Sequence, residues 1–585
     1  MPRFVLPAVF TLAAALSAQT AFFPLRDIRP GMRGTGRTVF AGNQIDEFQV
    51  EILGVMDNAG PKQSIILARL SGGPLEHTGV LEGMSGSPVY IDGRLAGAVA
   101  MAFPYAKDPI AGIRPIEEMV RPSTAPAAAP AARAELGDRD LLHLFPRPLP
   151  AMAGDARMMN IATPLSFAGF SRETLDAFGP QLRSLGLEPR QGVAAGGNVA
   201  PGLGNPADLK PGSMISVQLM SGDLAVGADG TVTYIDGSRV YAFGHSFLNV
   251  GETALPFARA EVIALLPALN ASFKVSTAKE WMGGITQDRD TAVSGELGAL
   301  PAMTPMTISV TRNGQPIETY HTRMVNDPLL SPLLIQMAVA STIEATERTA
   351  GAASVRIGGE IRFQNGLPPV KISNIAAADN GSAAQTALAA AMPAAYAMQS
   401  GFHGLALKQV DLNIETFPVK RELQIDGVTA SRREAHPGDT IRIDVSLVAD
   451  DGQEVARQVS YQTPIGEEPG TIYFTVADAA TTNLADFHQA MSSPERTAGQ
   501  VIAMLNGLHP NDKAYVRVWS ASPAFDLGGA DLPDPPASVA LILGGLQLNT
   551  GGITQTRNSK IAEMEIDSGG MAVTGSKTIQ VEIKQ

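Results

Sequence analysis

The residues best suited to chemistry lie in one glycine-rich segment, GVLEGMSGSPVYIDGRLAGAVA, at positions 79–100. Within it, Gly83 and Gly86 bracket Ser85 between two apolar runs. A nucleophilic serine needs its hydroxyl at an exposed turn, with backbone N–H groups beside it that stabilise an oxyanion. Glycines let the backbone approach a substrate carbonyl without a clash from a Cβ atom. The pattern therefore predicts Ser85 as a nucleophile, with the N–H groups of Gly83 and Ser85 as the oxyanion hole.

Two alternatives stay open at this segment. Ser87 is a competing hydroxyl, but it precedes Pro88 and is better placed to hydrogen-bond the turn than to attack a substrate. The segment also fits an ordinary hairpin connection, since Asp92-Gly93 is a typical tight-turn pair.

A nucleophilic serine requires a base, and His245 is the best-placed histidine. It ends an alternating strand in RVYAFGHSFLNVG, directly after Gly244. A strand end that opens into a loop suits a general base facing a cleft, although a lone histidine is more often structural. His77, eight residues before Ser85, is the second candidate. The chain has no cysteine, no HExxH motif and no histidine pair at ligand spacing, so the sequence predicts neither a metal site nor a cofactor.

Composition indicates a globular, β-rich protein of several domains. Its 585 residues correspond to about three to five domains. The 59 glycines and 42 prolines, with recurrent Val, Ile and Thr runs, favour short strands and turns. A net charge of −13 argues against a nucleic-acid partner.

The first residues are typical of a signal peptide. Arg3 supplies a positive start, Val5–Leu16 is apolar but short for a membrane span, and Leu16-Ser17-Ala18 offers small residues for cleavage. The alternative is a buried N-terminal strand or helix. We predict removal of residues 1–18, no stable membrane span afterwards, and a periplasmic or extracellular location.

Once these residues are considered together, a resemblance emerges. Residues 82–119, EGMSGSPVYIDGRLAGAVAMAFPYAKDPIAGIRPIEEM, resemble the end of the peptidase domain of the SpoIVB (sporulation stage IV B) family of serine peptidases. The preceding RPGMRGTGRTVFAGNQIDEFQVEILGV resembles the strands before the nucleophile of that family. The family is placed with the trypsin-like double β-barrels, whose nucleophile lies in a GxSGxP turn. The resemblance thus implies Ser85 as nucleophile and a protein or peptide as substrate.

The family carries its base in a Gly-His motif, which Gly244-His245 resembles. Residues 285–296, ITQDRDTAVSGE, also resemble sequence of the barrel that holds the base. In the family the Gly-His half comes first, whereas here Ser85 precedes His245. We therefore expect a mainly β fold: a trypsin-like double β-barrel with circularly permuted halves, a C-terminal Ig-like β-sandwich and some helices.

Local patterns predict a Pro/Ala-rich linker at 121–135, a helix capped by Ser171, a turn at Asp236-Gly237 and an amphipathic helix in PLLSPLLIQMAVASTIEATE at 328–347. Together with the resemblance, these patterns divide the chain. The predicted parts are a signal peptide (1–18), a peptidase half with the serine (25–125), a linker and small helical or loop insert (126–205), a peptidase half with the histidine (206–315), a mixed α/β connecting region (316–404), an Ig-like β-sandwich (405–478) and a C-terminal α+β region (479–585).

One position departs from the family pattern. The proposed acid of the family lies fifteen residues before the nucleophile, where this chain has Leu70, which cannot orient an imidazole. Asp288, with Asp290 as the alternative, is a replacement on the histidine side, where two-barrel peptidases usually carry their acid. Asp108 is a weaker third candidate.

Two functions follow as expectations. The leading one is an exported serine endopeptidase that works through an acyl-enzyme at Ser85, with His245 as base and residues 97–103 lining the substrate cleft. The alternative is a catalytically weak or inactive peptidase-like scaffold that binds peptides or envelope proteins, which the loss of the acid at Leu70 favours. The sequence determines neither the substrate nor the oligomeric state.

Overall fold

The computed structural model describes residues 21–103, 106–122, 134–135, 141, 158–191, 199–346, 351–490, 497–527, 531–532, 535–547, 553–556 and 558–585. Strands account for 52% of the structure and helices for 18%, with a closed six-stranded barrel, so the prediction of a mainly β fold is confirmed. The predicted signal peptide and most of the 121–135 linker lie outside the described residues. No helix in the described part of the chain has the length and apolar character that crossing a membrane requires.

The first six strands close into a barrel that contains Ser85, called here the serine barrel. Its neighbours run in the order β4-β1-β2-β3-β6-β5, and β4 pairs with β5 to complete the ring. Large apolar side chains such as Phe48, Ile66 and Val99 fill the interior. The strands are β1 (Arg33–Ala41), β2 (Gln44–Gly60), β3 (Gln63–Ser71), β4 (Pro88–Ile91), β5 (Arg94–Ala102) and β6 (Ile110–Pro115), with the short helices α1 (Leu75–Thr78) and α2 (Ile116–Met119).

A short connecting region leads to the second barrel. It contains β7 (Met159–Asn160), β8 (Thr163–Ala168), α3 (Arg172–Ser184), β9 (Leu187–Gln191) and β10 (Ala200–Leu203). The helix α3 begins where the sequence predicts, because the Ser171 side chain accepts a hydrogen bond from the N–H of Thr174. The strand β7 adds to the outer edge of β5 in the serine barrel.

Six further strands close a second ring, the histidine barrel, in the order β11-β14-β15-β16-β13-β12 with β12 returning to β11. An Asp236-Gly237 turn joins β12 to β13, as the sequence predicts. The strands are β11 (Met214–Gly222), β12 (Ala225–Asp236), β13 (Arg239–Ala242), β14 (Gly251–Leu266), β15 (Phe273–Arg289) and β16 (Ala292–Leu297).

The two barrels pack directly on each other. Gly42 in the serine barrel and Val262 in the histidine barrel exchange two backbone hydrogen bonds of 2.8 Å. Leu95 and Ala98 share an apolar cluster with Tyr234 and Tyr241. The residues between the barrels are therefore buried by both.

The sheet of the histidine barrel continues into a helix-covered extension. Strands β20-β19-β21-β17-β18 join it through β11, and α4 packs against α5. The amphipathic character expected of α4 is wrong, because every residue from Leu330 to Ile343 is buried. The elements are β17 (Thr304–Arg312), β18 (Gln315–Met324), α4 (Leu330–Thr346), β19 (Ala353–Phe363), β20 (Val370–Ala378), α5 (Ser382–Gln399) and β21 (Leu407–Phe417).

The C-terminal part is a two-sheet sandwich around one core. In TIRIDVSLVA every second residue from Ile441 to Leu447 is buried, and each of these residues is apolar. The elements are β22 (Glu422–Ala430), β23 (Glu434–Ala435), β24 (Thr440–Ala449), β25 (Glu454–Gln462), β26 (Gly470–Ala477), α6 (Ala479–Ala490), α7 (Ala498–Asn506), β27 (Lys513–Ser520), β28 (Ala524–Leu527), β29 (Asp531–Leu532), α8 (Ala537–Gln547), β30 (Ile553–Thr556), β31 (Ser559–Asp567), β32 (Ala572–Thr574) and β33 (Ser576–Ile583).

The sandwich occupies different residues from the expected 405–478. One sheet is β25-β24-β22-β32 and the other is β23-β33-β26-β27-β31, so strands from residues 513–583 complete it. The strand β21 instead pairs with β17 and β19 of the large sheet.

Candidate active site

The turn that carries Ser85 depends on its glycines. Gly83 and Gly86 have φ angles of +88° and +93°, a region that favours residues without a Cβ. A Cβ on Gly86 would lie 1.9 Å from the carbonyl oxygen of Thr231. The turn is anchored to β5 by Gly86 N–H, which donates to Val99 O at 2.7 Å, and by Val99 N–H, which donates to Ser87 O at 2.9 Å.

The histidine barrel holds the same turn from the other side. The N–H of Thr231 donates to Ser85 O at 2.8 Å, and its hydroxyl donates to Gly83 O at 2.9 Å. The Thr233 hydroxyl donates to Gly86 O at 2.7 Å. Because the turn lies between the barrels, Ser85 is completely buried, and the expectation of an exposed turn is wrong.

The two serine hydroxyls differ in their hydrogen bonding. Ser87 Oγ donates to Thr38 Oγ1 at 3.1 Å. Ser85 Oγ is buried and has no hydrogen-bond partner within the described residues, where the N–H groups of Gly83 and Ser85 also make no bond. A buried hydroxyl without a hydrogen-bond partner lowers the stability of the fold. Ser85 is therefore the better candidate for a functional hydroxyl, whereas Ser87 has a structural hydrogen bond.

His245 follows a strained piece of backbone. Phe243 and Gly244 both have positive φ, +70° and +72°, which turns the chain toward the serine barrel. A Cβ on Gly244 would lie 3.1 Å from the Cβ of Ala100. The histidine is therefore placed against β5, the strand that also anchors the Ser85 turn.

The imidazole of His245 is held in one tautomer. Its Nδ1 lies 2.7 Å from the carbonyl oxygen of Ser246, which only accepts, so Nδ1 carries the proton and Nε2 keeps its lone pair. Burial lowers the pKa of His245 to about 4, and the nearby Arg114 cation contributes in the same direction. The ring is neutral at pH 7 and its Nε2 is buried without a partner in the described part of the chain.

The structure does not join the two predicted residues by a hydrogen bond. Among the described residues, Ser85 Oγ and His245 Nε2 both lack a partner, although both residues contact β5 through their neighbours. The Ser85–His245 dyad therefore stays a prediction, and the loops would tighten when substrate binds.

The expected acid, Asp288, contacts the backbone instead of the imidazole. Its carboxylate accepts hydrogen bonds from the N–H groups of Phe247 and Leu248, both at 2.6 Å, and of Val250 at 3.3 Å. It thus fixes the loop that follows His245, while the Ser246 carbonyl takes the place at Nδ1. The sequence does not show which way the Asp288 side chain points, which is why sequence reasoning assigns it to the ring.

The other acid candidates lie elsewhere. Asp290 accepts a hydrogen bond from the Gln63 side chain at 2.7 Å, and its charge acts on the pKa of His245 without a direct bond. Asp108 is exposed, and Leu70 is buried in the core of the serine barrel. The alternative base, His77, is exposed on α1.

Two buried cations near the site escape sequence reasoning. Arg114, on β6, donates to Gly244 O at 3.4 Å and to Gln63 Oε1 at 2.9 Å, and pairs with Glu118 at 3.3 Å. It therefore links the backbone of the histidine loop to the serine barrel. In sequence it stands within an ordinary apolar strand, IAGIRP, which gives no signal of this role.

The second cation, Lys274, supports the serine turn. Its Nζ donates to Thr38 Oγ1 at 2.7 Å, the atom that also accepts from Ser87. Burial lowers the pKa of Lys274 to about 7, and burial raises that of nearby Asp229 to about 6. Lys274 lies on the inward face of an alternating strand, a place where sequence patterns predict an apolar residue.

A cavity of about 450 Å³ opens beside His245. Its lining includes Asp290, the loop after His245 and residues 159–163. The connecting region between the barrels thus contributes directly to the surroundings of the imidazole.

One further cluster has the donor set of a metal site. Oxygen and nitrogen atoms of Asp486, His509 and Glu563 lie within 4.8 Å of one another. Arg517 donates to Asp486 at 2.7 Å and to Glu563 at 2.8 Å. Since its guanidinium already neutralises both carboxylates, the cluster is explained as an ion-pair network of the sandwich.

Comparison with known families bears on the serine barrel. Residues 25–120 match the family model of SpoIVB peptidase S55. The match contains Gly83, Ser85 and Gly86 and confirms the resemblance predicted from sequence. It places the region carrying Ser85 with a family of serine peptidases, for which proteins are the expected substrates.

The SpoIVB match ends before the histidine barrel begins, so it does not include His245. No curated protein and no solved structure matches the chain.

Proposed function

We propose that the chain is an exported serine endopeptidase in which Ser85 is the nucleophile and His245 the base. One observation carries the proposal: the unpaired Ser85 hydroxyl stands in the Gly83–Gly86 turn, inside the region similar to the SpoIVB peptidases. The orienting contact of His245 leaves its Nε2 lone pair free, which is the state that a general base requires.

The reaction proceeds through an acyl-enzyme. Ser85 Oγ attacks the scissile carbonyl carbon while its proton passes to His245 Nε2. The C–N bond breaks as the imidazolium returns that proton to the leaving amine. Water then attacks the ester and gives its proton to His245 Nε2. The C–O bond to Ser85 breaks as the imidazolium returns that proton to Ser85 Oγ, which releases the acid product and restores the enzyme.

The turn supplies the electrostatic part of the mechanism. The N–H groups of Gly83 and Ser85 are free of bonds among the described residues, so they are available to an oxyanion. Loss of one such donor typically lowers kcat by about 10²–10³-fold.

The Ser246 carbonyl would replace the usual carboxylate. Its partial charge stabilises an imidazolium less than a full negative charge does, because the Coulomb attraction grows with the size of each charge. We therefore expect slow turnover, with the charge of Asp290 favouring the imidazolium without a direct bond.

Export rests on the first residues of the sequence, which have the composition of a signal peptide. N-terminal sequencing of protein purified from its native host tests this part. A mature chain that begins near Gln19 supports export, and an intact Met1 contradicts it.

The second candidate function is a non-catalytic scaffold. It is favoured by the complete burial of Ser85 and by the missing bond between Ser85 Oγ and His245 Nε2. Hydrolysis of a quenched fluorescent casein substrate separates the two functions. The peptidase proposal predicts cleavage that Ser85→Ala abolishes, whereas equal signals from both proteins favour the scaffold.

A further inference from the structure

The strand β7 pairs with the C-terminal end of β5, at an edge of the serine barrel. Asn160 and Met159 pair antiparallel with Met101 and Ala102 of β5. The N–H of Ile161 donates to the Ala100 carbonyl at 2.9 Å. Residues 158–161, called here the internal strand, therefore lie along the last part of β5.

This edge begins where the Ser85 turn ends. Val99 bonds the turn through both its N–H and its carbonyl, and the next residue, Ala100, accepts from the internal strand. The register of β5 with β6 shifts between Val99 and Met101. A polypeptide extended along Ala100–Ala102 would thus run past the Ser85 turn in the direction of the cavity beside His245.

Residues 97–103 are expected to line the substrate cleft, where an extended peptide would bind by strand addition. We propose that the internal strand occupies this edge at Ala100–Ala102 as a built-in competitor of an extended apolar peptide. The inference rests on the proposed function, since it concerns the regulation of the substrate site. Strand addition gives affinity through main-chain hydrogen bonds and specificity through pockets for side chains.

The side chains of the internal strand indicate the class of peptide. Ile161 is 5% exposed and packs in the core of the serine barrel. Met158 lines a separate cavity of about 400 Å³ together with Met101 and Arg114. Residues 158–163, Met-Met-Asn-Ile-Ala-Thr, contain no charged side chain. The edge is therefore suited to an uncharged segment with large aliphatic side chains.

The competitor is weakly attached. It contributes two residue pairs to the sheet, and Met159 is 39% exposed. A ladder this short contributes little free energy, because each hydrogen bond adds only about 0.5–1.5 kcal/mol. An incoming strand with more pairs can displace it.

A disulfide tests the exchange cleanly, because the chain has no cysteine of its own. Met101→Cys with Asn160→Cys places two thiols on paired residues and locks the internal strand when oxidised. The control pair, Arg442→Cys with Ser460→Cys, joins exposed partners of the remote sandwich. Both pairs are made in a Ser85→Ala background so that a bound peptide is not consumed.

The probe is a fluorescein-labelled peptide of sequence MMNIAT, measured by fluorescence anisotropy. We expect the reduced Met101/Asn160 variant to bind it and the oxidised one to bind at least tenfold more weakly, while the control pair shows no redox dependence. Equal binding before and after oxidation overturns the proposal. A cross-link that does not form also overturns it, because the two residues are then not paired.

The same proteins with Ser85 restored separate this inference from the proposed function. A fluorophosphonate that fails to label any of them, combined with redox-dependent peptide binding, rejects the peptidase and leaves the peptide edge standing. Labelling at Ser85 together with redox-independent binding rejects the edge and leaves the peptidase standing.

Discussion

The Nδ1 atom of His245 lies 2.7 Å from the carbonyl oxygen of Ser246, its neighbour in the chain. A backbone carbonyl thus performs the orienting role that a carboxylate has in the usual triad. Because a carbonyl cannot be protonated near neutral pH, this contact fixes the tautomer over the whole working range. It also frees Asp288 to organise the loop.

The first prediction concerns that loop. The two carboxylate oxygens of Asp288 accept from three N–H groups, Oδ1 from Phe247 and Oδ2 from Leu248 and Val250. Asp288→Asn replaces one of these oxygens by an NH₂ group, which then faces an N–H donor. We expect a loss of about 1–3 kcal/mol in the free energy of unfolding, measured by urea denaturation. Asp290→Asn is the matched control and should cost much less, since Asp290 accepts one side-chain bond, from Gln63, within the described part of the chain. Equal costs would contradict the assigned role of Asp288.

The second prediction is a pH profile. Because burial lowers the pKa of His245 to about 4, the base form persists as pH falls from 8 to 5, and the rate of fluorophosphonate labelling should fall only as pH drops through about 4. Arg114→Met removes a nearby positive charge that disfavours the imidazolium, so the acid limb should move to higher pH. Arg114→Lys keeps the charge and should keep the limb. A wild-type limb near pH 6.5 would contradict the burial of the ring.

The third prediction concerns the buried amine of Lys274, whose pKa burial lowers from 10.5 to about 7. Between these values the unfolded chain holds a proton that the folded chain does not, so stability rises with pH, with a slope of up to about 1.4 kcal/mol per pH unit. Lys274→Met should remove this part of the slope between pH 7 and 9.

Asp229 also bears on that comparison, because burial raises its pKa to about 6 and the Lys274 charge lowers it, so loss of that charge in Lys274→Met raises the pKa of Asp229 further. A Lys274→Met Asp229→Asn double variant provides a form without the unpaired carboxylate. Identical slopes in wild type and Lys274→Met, measured by urea denaturation at both pH values, would show that the amine is not buried.

The fourth prediction tests the turn. Gly86→Ala would bring a Cβ to 1.9 Å from the Thr231 carbonyl oxygen at a φ of +93°, so it should abolish labelling and destabilise the contact between the barrels. Gly93→Ala also has positive φ, +73°, but meets no atom within 4 Å, and should cost only about 1–2 kcal/mol. The measurements are the melting temperature and the fluorophosphonate labelling of both variants. Equal melting temperatures and equal labelling in Gly86→Ala and Gly93→Ala would argue against the tight turn.

The sequence predicted those features that depend on local pattern. The Gly83–Gly86 turn, the Asp236-Gly237 hairpin and the helix cap at Ser171 follow from residue types a few positions apart. The position of His245 against the serine barrel joins segments 160 residues apart, and it needed the family resemblance as well as the strand-end pattern.

The wrong or missing predictions concern strands that pair over long distances in the sequence and side chains whose partners lie in the other barrel. The strand at 470–477 finds its partners at 513–520 and 576–583, so the sandwich could not be delimited from 405–478 alone. Arg114 and Lys274 lie in strands whose pattern predicts apolar residues, and their partners come from the other barrel. The burial of Ser85 follows from the packing of two barrels, which no local pattern contains.

The measurement that tests the central claim most directly is mass-spectrometric mapping of a fluorophosphonate adduct on the purified protein. The account predicts one adduct on Ser85, retained in Ser87→Ala, absent in Ser85→Ala and strongly slowed in His245→Ala. An adduct on Ser87, or labelling that persists unchanged in His245→Ala, would contradict it.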